Sequence, residues 1–160
     1  MLNKDGNLIP GKPIALIGKK KINILHTPAS IVTLDNEIYK LAGRMLTTCR
    51  INGGMAIAAN QVGIPINLVV TNVGKGYINI GYAPDKDRET EEATEGCLSL
   101  PGKRFVVLRF KKIELNTTNL KGEYVFEKME NLQARMWQHE TDHIQGKLLS
   151  DNPNKEVRLV

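Results

Sequence analysis

The chain has 160 residues, of which 41% are hydrophobic and 24% are charged, and its formal net charge is +5 at pH 7. This length and hydrophobic content predict one catalytic domain over residues 1–160, with no room for a second. Its two cysteines are too few for a disulfide scaffold, and no apolar run approaches the ~20 residues of a membrane span. We therefore expect a cytoplasmic protein that does not enter membranes.

The first half of the chain is predicted to contain one long helix among strands. Residues 35 to about 50 have the spacing of an amphipathic helix, with Asp35 or Thr33 as its N-cap. Strand-like patterns occur at residues 22–25, 66–73, 77–82, 105–115 and 124–126.

The second half is predicted to contain a hairpin and a second helix. The strands at 105–115 and 124–126 can pair if the chain turns at residues 119–122. The second helix is predicted over residues 131–144 and is ended by Gly146. Together these elements indicate an α+β fold, in which antiparallel sheets pack around the second helix.

That second helix carries two histidines four positions apart. Positions i and i+4 share one face of a helix, so His139 and His143 can bind one metal ion. Glu140 follows the first histidine and can take a proton from a water at the metal. The pattern H-E-x-x-H is short, and chance matches occur on solvated helices. A hydrolytic metal centre is therefore indicated only if a third ligand can be found.

The remaining candidates for the third ligand are His26, Cys49 and Cys97, besides carboxylates. The longer motif H-E-x-x-H-x-x-G-x-x-H is disfavoured because Leu149 occupies its last histidine position. Residues 144–160 leave too little chain for a second helix with a glutamate ligand. Cys49 continues an apolar helical series, typical of a buried small hydrophobe, and His26 follows a strand-like run. Cys97, in the segment E-G-C-L-S-L-P, is preferred.

A site of one cysteine and two histidines has a definite chemical character. It leaves a fourth coordination position open, as catalytic sites do, whereas a structural site closes with a fourth protein ligand. Thiolate and imidazole ligands favour Zn²⁺ or Fe²⁺ over Mg²⁺ or Ca²⁺, which prefer oxygen. Such a metal lowers the pKa of a bound water from ~15.7 to about 7.

Three segments of the chain together resemble a known family. In order, G-G-M-A-I-A-A-N-Q at residues 53–61, E-G-C-L-S and Q-H-E-T-D-H are similar to the three motifs of the peptide deformylases. The resemblance runs from about residue 22 to residue 149, and its second and third motifs are highly specific. It implies metal-dependent hydrolysis of the N-formyl group from formyl-methionyl nascent peptides, which releases formate.

The resemblance also implies a role for each matching residue. One divalent metal, commonly Fe²⁺ in this family and replaceable by Zn²⁺, Ni²⁺ or Co²⁺, would have three ligands: Cys97, His139 and His143. Glu140 would act as the general base and then the general acid. The side-chain amide of Gln61 and the backbone N–H of Leu98 would stabilise the oxyanion that develops on the formyl oxygen.

The same matching implies a substrate pocket. Its lining would be Gly54, Met55, Ala56, Leu132, Arg135 and Met136. Leu132 and Met136, four apart on the second helix, would form an apolar wall, although ordinary core packing explains the spacing equally well. Ala56 replaces the second glycine of the first motif, and its methyl could crowd the backbone that pairs with substrate.

Two acidic residues are expected near the metal, and two arginines are possible partners for them. Glu95 and Asp142 would orient ligands or hold the second helix in place. Arg104 and Arg109 could pair with such acids, contact the peptide or simply lie on the surface.

Two other functions stay open at this point. A metalloprotease could use the same helix, and cleavage of unformylated peptides without formate release would indicate it. A non-catalytic relative could bind nascent peptides or ribosomes, but it would need neither Glu140 nor Gln61. The charge of +5 could aid approach to the ribosome exit region, although a solvated surface is the simpler explanation. We expect a monomer whose partners are formyl-methionyl peptides.

Overall fold

The computed structural model describes residues 1–17, 22–151 and 156–157. Within these residues the chain forms, in order, α1 Ile22–Leu25, α2 Asn36–Ile51, β1 Ala56–Ala58, β2 Leu68–Thr71, β3 Gly76–Pro84, β4 Thr90–Gly96, β5 Arg104–Phe110, β6 Lys112–Asn119, β7 Tyr124–Glu130, α3 Asn131–Ile144 and β8 Glu156–Val157. Short 3₁₀ turns cover Ala59–Val62 and Leu149–Asp151.

The strands form two sheets on which helix α3 packs. Five strands follow the order β1-β2-β3-β6-β7, and three follow the order β4-β5-β8. Every pair of these named strands is antiparallel. Helix α3 contacts β1, β3, β6 and β7 of the larger sheet and β5 of the smaller one. The predicted α+β fold, with antiparallel sheets around this helix, is confirmed.

Helix α2 confirms the prediction for residues 35–50. Asp35 is its N-cap, and its carboxylate accepts a hydrogen bond from the backbone N–H of Ile38 at 2.8 Å. The inner face of the helix is apolar and belongs to a core cluster with β2 and β3, formed in part by Ala42, Met45, Leu46, Cys49, Leu68, Val70 and Ile78. The apolar series read from the sequence is therefore a core face.

The prediction of a strand at residues 22–25 is wrong. These residues form the single helical turn α1, and the backbone N–H of His26 bonds to the carbonyl oxygen of Ile22 at 3.2 Å. The hydroxyl of Thr27 also donates to the carbonyl oxygen of Asn23 at 2.8 Å, which closes the turn. A run of four mostly apolar residues has no period long enough to distinguish a strand from a helical turn.

The strand predicted at residues 105–115 is in fact two strands in different sheets. Lys111 separates β5 from β6, and its N–H bonds to the carbonyl oxygen of Glu89 at 2.8 Å. Its own carbonyl oxygen accepts the N–H of Asn131, at the start of α3, at 2.8 Å. Buried residues keep the same alternation across the break, at Phe105, Arg109, Ile113 and Leu115. The sequence pattern therefore continues where the sheet does not.

The predicted hairpin is confirmed between β6 and β7. The backbone N–H of Gly122 bonds to the carbonyl oxygen of Asn119 at 2.9 Å, and Gly122 has φ +83°. The side-chain oxygen of Asn119 accepts the N–H groups of Lys121 and Glu123. This turn returns the chain along the sheet edge and leads directly into α3.

Candidate metal centre and active site

Helix α3, which occupies the residues predicted from the sequence, is held near its middle and at its C-terminal end by contacts outside the helix. The side-chain amide of Gln138 brackets Phe110 in β5, accepting its N–H at 2.9 Å and donating to its carbonyl oxygen at 2.8 Å. The carbonyl oxygen of Ile144 accepts the N–H of Ala29 at 2.8 Å. Gly146 follows with φ +73°, where a Cβ would lie 2.6 Å from a backbone oxygen. The helix that bears the histidines is therefore tied to β5 and to the segment at Ala29 by hydrogen bonds.

Cys97 and the two histidines converge on one point. The Sγ of Cys97 and one ring nitrogen each of His139 and His143 lie within 4.8 Å of one another. The Sγ is 3.2 Å from Nε2 of His143. The Nδ1 of His139 contacts the Glu95 carboxylate at 3.0 Å, which leaves Nε2 of His139 as its ligand atom. A thiolate with two imidazoles suits Zn²⁺ or Fe²⁺, so the residues present fit such a metal.

The other two candidates for the third ligand are excluded from this cluster. Cys49 is fully buried in the face of α2, as predicted, and burial raises the pKa of its thiol to about 11. His26 is partly exposed; its Nδ1 lies 3.2 Å from the carbonyl oxygen of Gly146, and its Nε2 lies 3.8 Å from Asp151. Neither Cys49 nor His26 is therefore part of the cluster formed by Cys97, His139 and His143.

The carboxylate of Glu95 is the centre of a buried charge network. Arg109 grips it with two hydrogen bonds of 3.0 Å, from Nε and Nη2, and its Nη1 pairs with Asp142. Arg135 and His139 contact the same carboxylate at 2.7 and 3.0 Å. Burial favours the neutral acid, yet the hydrogen bonds from His139 and Arg109 lower the pKa of Glu95 to about 2. Glu95 therefore contacts a candidate ligand directly, whereas Asp142 contacts Arg109.

Glu140 lies beside the candidate ligands and is buried. Among the described residues its Oε2 has no hydrogen-bond partner, so that atom is available to a water or a substrate. Burial raises the pKa of Glu140 to about 7, against the lowering effect of His139 and Arg109. A carboxyl group with this pKa can both accept and return a proton near neutral pH.

The two histidines differ in their electrostatics. Burial lowers the pKa of His143 well below its usual value, which favours the neutral imidazole that binds metals. Burial also opposes the charged form of His139, yet its contacts with Cys97 and Glu95 raise its pKa to about 10. A metal at this site therefore competes with a proton on His139.

Gln61 presents its amide nitrogen to the same site. Its side-chain oxygen accepts the backbone N–H of Ala58 at 2.9 Å, which fixes the orientation of the amide. Its Nε2 then lies 3.1 Å from Oγ of Ser99 and 3.7 Å from Sγ of Cys97. The backbone N–H of Leu98 makes no hydrogen bond within the described part of the chain. Two donors thus lie next to the candidate ligands, and the amide of Gln61 also donates to Ser99.

A cavity of about 570 Å³ opens beside these residues. Its walls include all six residues expected to bind substrate, Gly54, Met55, Ala56, Leu132, Arg135 and Met136, together with Gln61, Cys97, Leu98, Arg104, His139 and Glu140. Leu132, which is 60% exposed, lies at the rim. Ala56 is buried within a core cluster that includes Ala134 and Trp137. Its methyl group therefore packs against other side chains of the core.

Two contacts at the site were not anticipated from the sequence. The Nε2 of Gln61 donates a hydrogen bond to the hydroxyl of Ser99. The sequence offered one signal for this contact, namely that Ser99 follows Cys97 by two residues in the same motif. Arg135 bonds to Glu95 across 40 positions of sequence. No local pattern indicates that second contact.

Comparison with known proteins agrees with this geometry. The sequence profile of the family described as polypeptide deformylase matches residues 12–158. The peptide deformylase of Thermotoga petrophila is 39% identical over 140 residues, which is 86% of this chain and 85% of that protein. The peptide deformylase of Rhodopirellula baltica is 30% identical over 150 residues, 90% of this chain and 75% of the relative.

Solved structures give the same result. The crystal structure of peptide deformylase from Thermotoga maritima has a TM-score of 0.80 and 36% identity, and the match covers 87% of this chain and 96% of that one. A probable peptide deformylase from synechococcus phage S-SSM7 has a TM-score of 0.79 and 29% identity, over 86% of this chain and 98% of the other. The chain therefore belongs to the peptide deformylase family, hydrolases that remove the N-formyl group from nascent peptides.

Proposed function

We propose that this chain performs its deformylation with one divalent metal held by Cys97, His139 and His143. The observation that carries the proposal is the convergence of one sulfur and two ring nitrogens within 4.8 Å, next to the cavity. Fe²⁺ is the metal we propose, with Zn²⁺, Ni²⁺ or Co²⁺ as replacements. When bound, the metal supplies a Lewis acid that activates water and polarises the formyl carbonyl.

Glu140 moves the proton in this proposal. Its Oε2 accepts a proton from the attacking water and later returns it to the nitrogen of the leaving amine. The burial of Glu140 and its pKa of about 7 support both steps, because a general base works best when its pKa is near the operating pH.

Gln61 and Leu98 stabilise the charge that develops on the formyl oxygen. The Nε2 of Gln61 and the backbone N–H of Leu98 are the two donors. The fixed orientation of the glutamine amide supports this role, because a donor that is already in place needs no rearrangement during the reaction. Loss of one such donor typically lowers kcat by ~10²–10³-fold.

The cavity accepts the methionyl end of the substrate. The proposed contacts come from the loop before β1, from the first residue of β1 and from the first turns of α3: Gly54, Met55, Ala56, Leu132, Arg135 and Met136. The apolar side chains of Met55, Leu132 and Met136 suit the thioether of a formyl-methionine.

The proposal includes the setting in which the enzyme acts. We propose one catalytic domain over residues 1–160 that acts as a monomer in the cytoplasm, close to the ribosome exit region, where the net charge of +5 favours approach to RNA. In the described part of the chain, no helix combines the length and the apolar character that crossing a membrane requires.

The test is release of formate from a formyl-methionyl tripeptide by protein prepared without oxygen and loaded with Fe²⁺ or Ni²⁺. We expect formate from the wild type, none after a chelator has removed the metal, and none from Cys97→Ala. Cys49→Ala is the matched control, because that cysteine lies in the core face of α2, and it should retain the wild-type rate. Metal-independent release of formate would contradict the proposed centre, and cleavage of unformylated peptides without formate would indicate a protease.

A further inference from the structure

Arg135 directs its guanidinium to the smaller sheet. Its side chain is only 11% exposed, although it lines the cavity. Nη1 donates to the Glu95 carboxylate at 2.7 Å and to the carbonyl oxygen of Val107 at 3.0 Å. Nη2 donates to the carbonyl oxygen of Glu91 at 2.7 Å. All three hydrogen bonds therefore run from α3 to strands β4 and β5.

Arg135 and His139 share one carboxylate. Oε1 of Glu95 accepts Nη1 of Arg135, and Oε2 of the same residue contacts Nδ1 of His139. Arg135 precedes His139 by one helical turn, so two neighbouring side chains of α3 grip the same group of β4. Cys97 follows Glu95 by two residues. Arg135 thus restrains the segment that supplies the sulfur ligand against the helix that supplies the nitrogens.

With His139 neutral, as a metal ligand must be, the charges of this network balance only when Arg135 is included. Glu95 and Asp142 bring two carboxylates, and Arg109, which contacts both, brings one positive charge. Arg135 brings the second. A buried carboxylate that loses a partner is destabilised. Without Arg135, Glu95 keeps its hydrogen bonds to Arg109 but loses the α3 side chain that holds its Oε1 beside His139. A lysine supplies the charge but not the planar fork that reaches Glu95, Val107 and Glu91 together.

We propose that Arg135 is a positioning residue, which acts through Glu95 on His139 and Cys97 and thereby sets the affinity of the site for its metal. The inference rests on the proposed metal centre. Groups that orient metal ligands in this way typically contribute ~10–100-fold in metal affinity or activity. Contact with substrate alone would give Arg135 an effect on KM and none on metal binding.

The test is the dissociation constant for Zn²⁺, measured by competition with a chelator in the absence of substrate. We expect Arg135→Met to weaken Zn²⁺ binding by about 10-fold or more, and Arg135→Lys to recover part of the loss. The matched control is Arg44→Met, which removes an exposed arginine of α2 whose Nε contacts a backbone oxygen at 3.3 Å. It should bind Zn²⁺ as the wild type does. The visible absorption of the Co²⁺-loaded protein should change in Arg135→Met and not in the control.

Two results would overturn the inference. A raised KM with unchanged Zn²⁺ affinity would make Arg135 a substrate contact. A lowered Tm with unchanged Zn²⁺ affinity and Co²⁺ absorption would make it a purely structural residue. If Arg135→Met does not fold, Arg135→Lys decides by the same two measurements. Wild-type protein that binds no Zn²⁺ would overturn the metal centre itself, which separates that failure from the failure of this inference.

Discussion

Helices α2 and α3 are similar in length, at 16 and 14 residues, but they bury different chemistry. The buried side of α2 is mainly apolar and includes Ile38, Ala42, Met45, Leu46 and Cys49. The buried side of α3 is mainly polar and includes Gln138, Glu140, Thr141 and His143. Apolar burial stabilises in proportion to area, whereas a buried polar group stabilises only if its particular partner is present.

The two helices are therefore expected to have different roles, with α2 stabilising the fold and α3 carrying the proposed active site. On α3, Gln138 brackets Phe110, and the hydroxyl of Thr141 donates to the carbonyl oxygen of Trp137 at 2.8 Å. Among the described residues, two buried polar atoms of α3 have no hydrogen-bond partner: Oε2 of Glu140, the proposed base, and Nδ1 of His143, a proposed ligand. Substitutions on α2 should therefore affect mainly stability, and those on α3 mainly catalysis.

The largest expected effect is that of Glu140→Gln. This substitution keeps the size of the side chain but removes its ability to accept a proton, so kcat should fall by ~10²–10⁴-fold. The matched change on α2 is Glu37→Gln, which alters an exposed pair with Lys40 and should leave kcat unchanged. The measurement is formate release at saturating substrate, with metal content determined for each variant. A fall of less than tenfold in fully loaded Glu140→Gln would contradict the role of Glu140 as base.

The ion pairs in which side chains of α3 and α2 take part should contribute differently to the free energy of unfolding. Arg109→Met leaves the buried carboxylate of Glu95 and the partly buried carboxylate of Asp142 without their common partner, and we expect a loss of about 3–5 kcal/mol in the free energy of unfolding. Lys40→Met breaks the exposed pair with Glu37 on α2, and a loss of at most about 1 kcal/mol is expected. Urea unfolding of both variants measures the contrast, and equal losses would show that burial does not distinguish the two pairs.

Truncation of the apolar face of α2 should separate stability from activity. Met45 is fully buried, and Met45→Ala should lower the free energy of unfolding by about 2–5 kcal/mol. Met45→Leu conserves volume and should cost less than about 1.5 kcal/mol. At a temperature where both variants are folded, kcat should equal that of the wild type. A folded Met45→Ala with reduced kcat would contradict the expectation that substitutions on α2 affect stability and not catalysis.

The smallest expected effect concerns Ala56, the departure from the family motif. Because its methyl group packs in the core beside α3, Ala56→Gly should lower the free energy of unfolding by about 0.5–1 kcal/mol. KM for a formyl-methionyl peptide should stay the same. A marked fall in KM would instead show that the methyl group crowds the substrate, as the sequence alone suggested.

The sequence was sufficient where the relevant signals are local. The N-cap at Asp35 and the glycine after α3 gave correct helix limits, because caps act within one turn of the helix. The convergence of Cys97 with the histidines followed from elimination of Cys49 and His26 and from the family resemblance. Strand β4 was missed, since Thr-Glu-Glu-Ala-Thr-Glu has one alanine and no large apolar residue to mark an inner face.

Other features depend on tertiary contacts that a local pattern does not contain. The bond between Arg135 and Glu95 joins residues 40 positions apart. The sequence therefore assigned Arg135 to the substrate pocket without its contact to the carboxylate that holds His139. The break at Lys111 was hidden because the buried alternation continues in phase from one sheet to the next.

Because the alternation of buried residues continues through Lys111, the number of residues between β5 and β6 matters more than which residue occupies that position. The side chain of Lys111 is only partly buried, so many residues can occupy the position. Removal of one residue would instead reverse the inner and outer faces of one adjoining strand. Either Arg109 would turn away from Glu95 and Asp142, or Ile113 and Leu115 would turn out of the core. Among functional relatives with this joint, variation should therefore occur as substitutions and not as single-residue insertions or deletions.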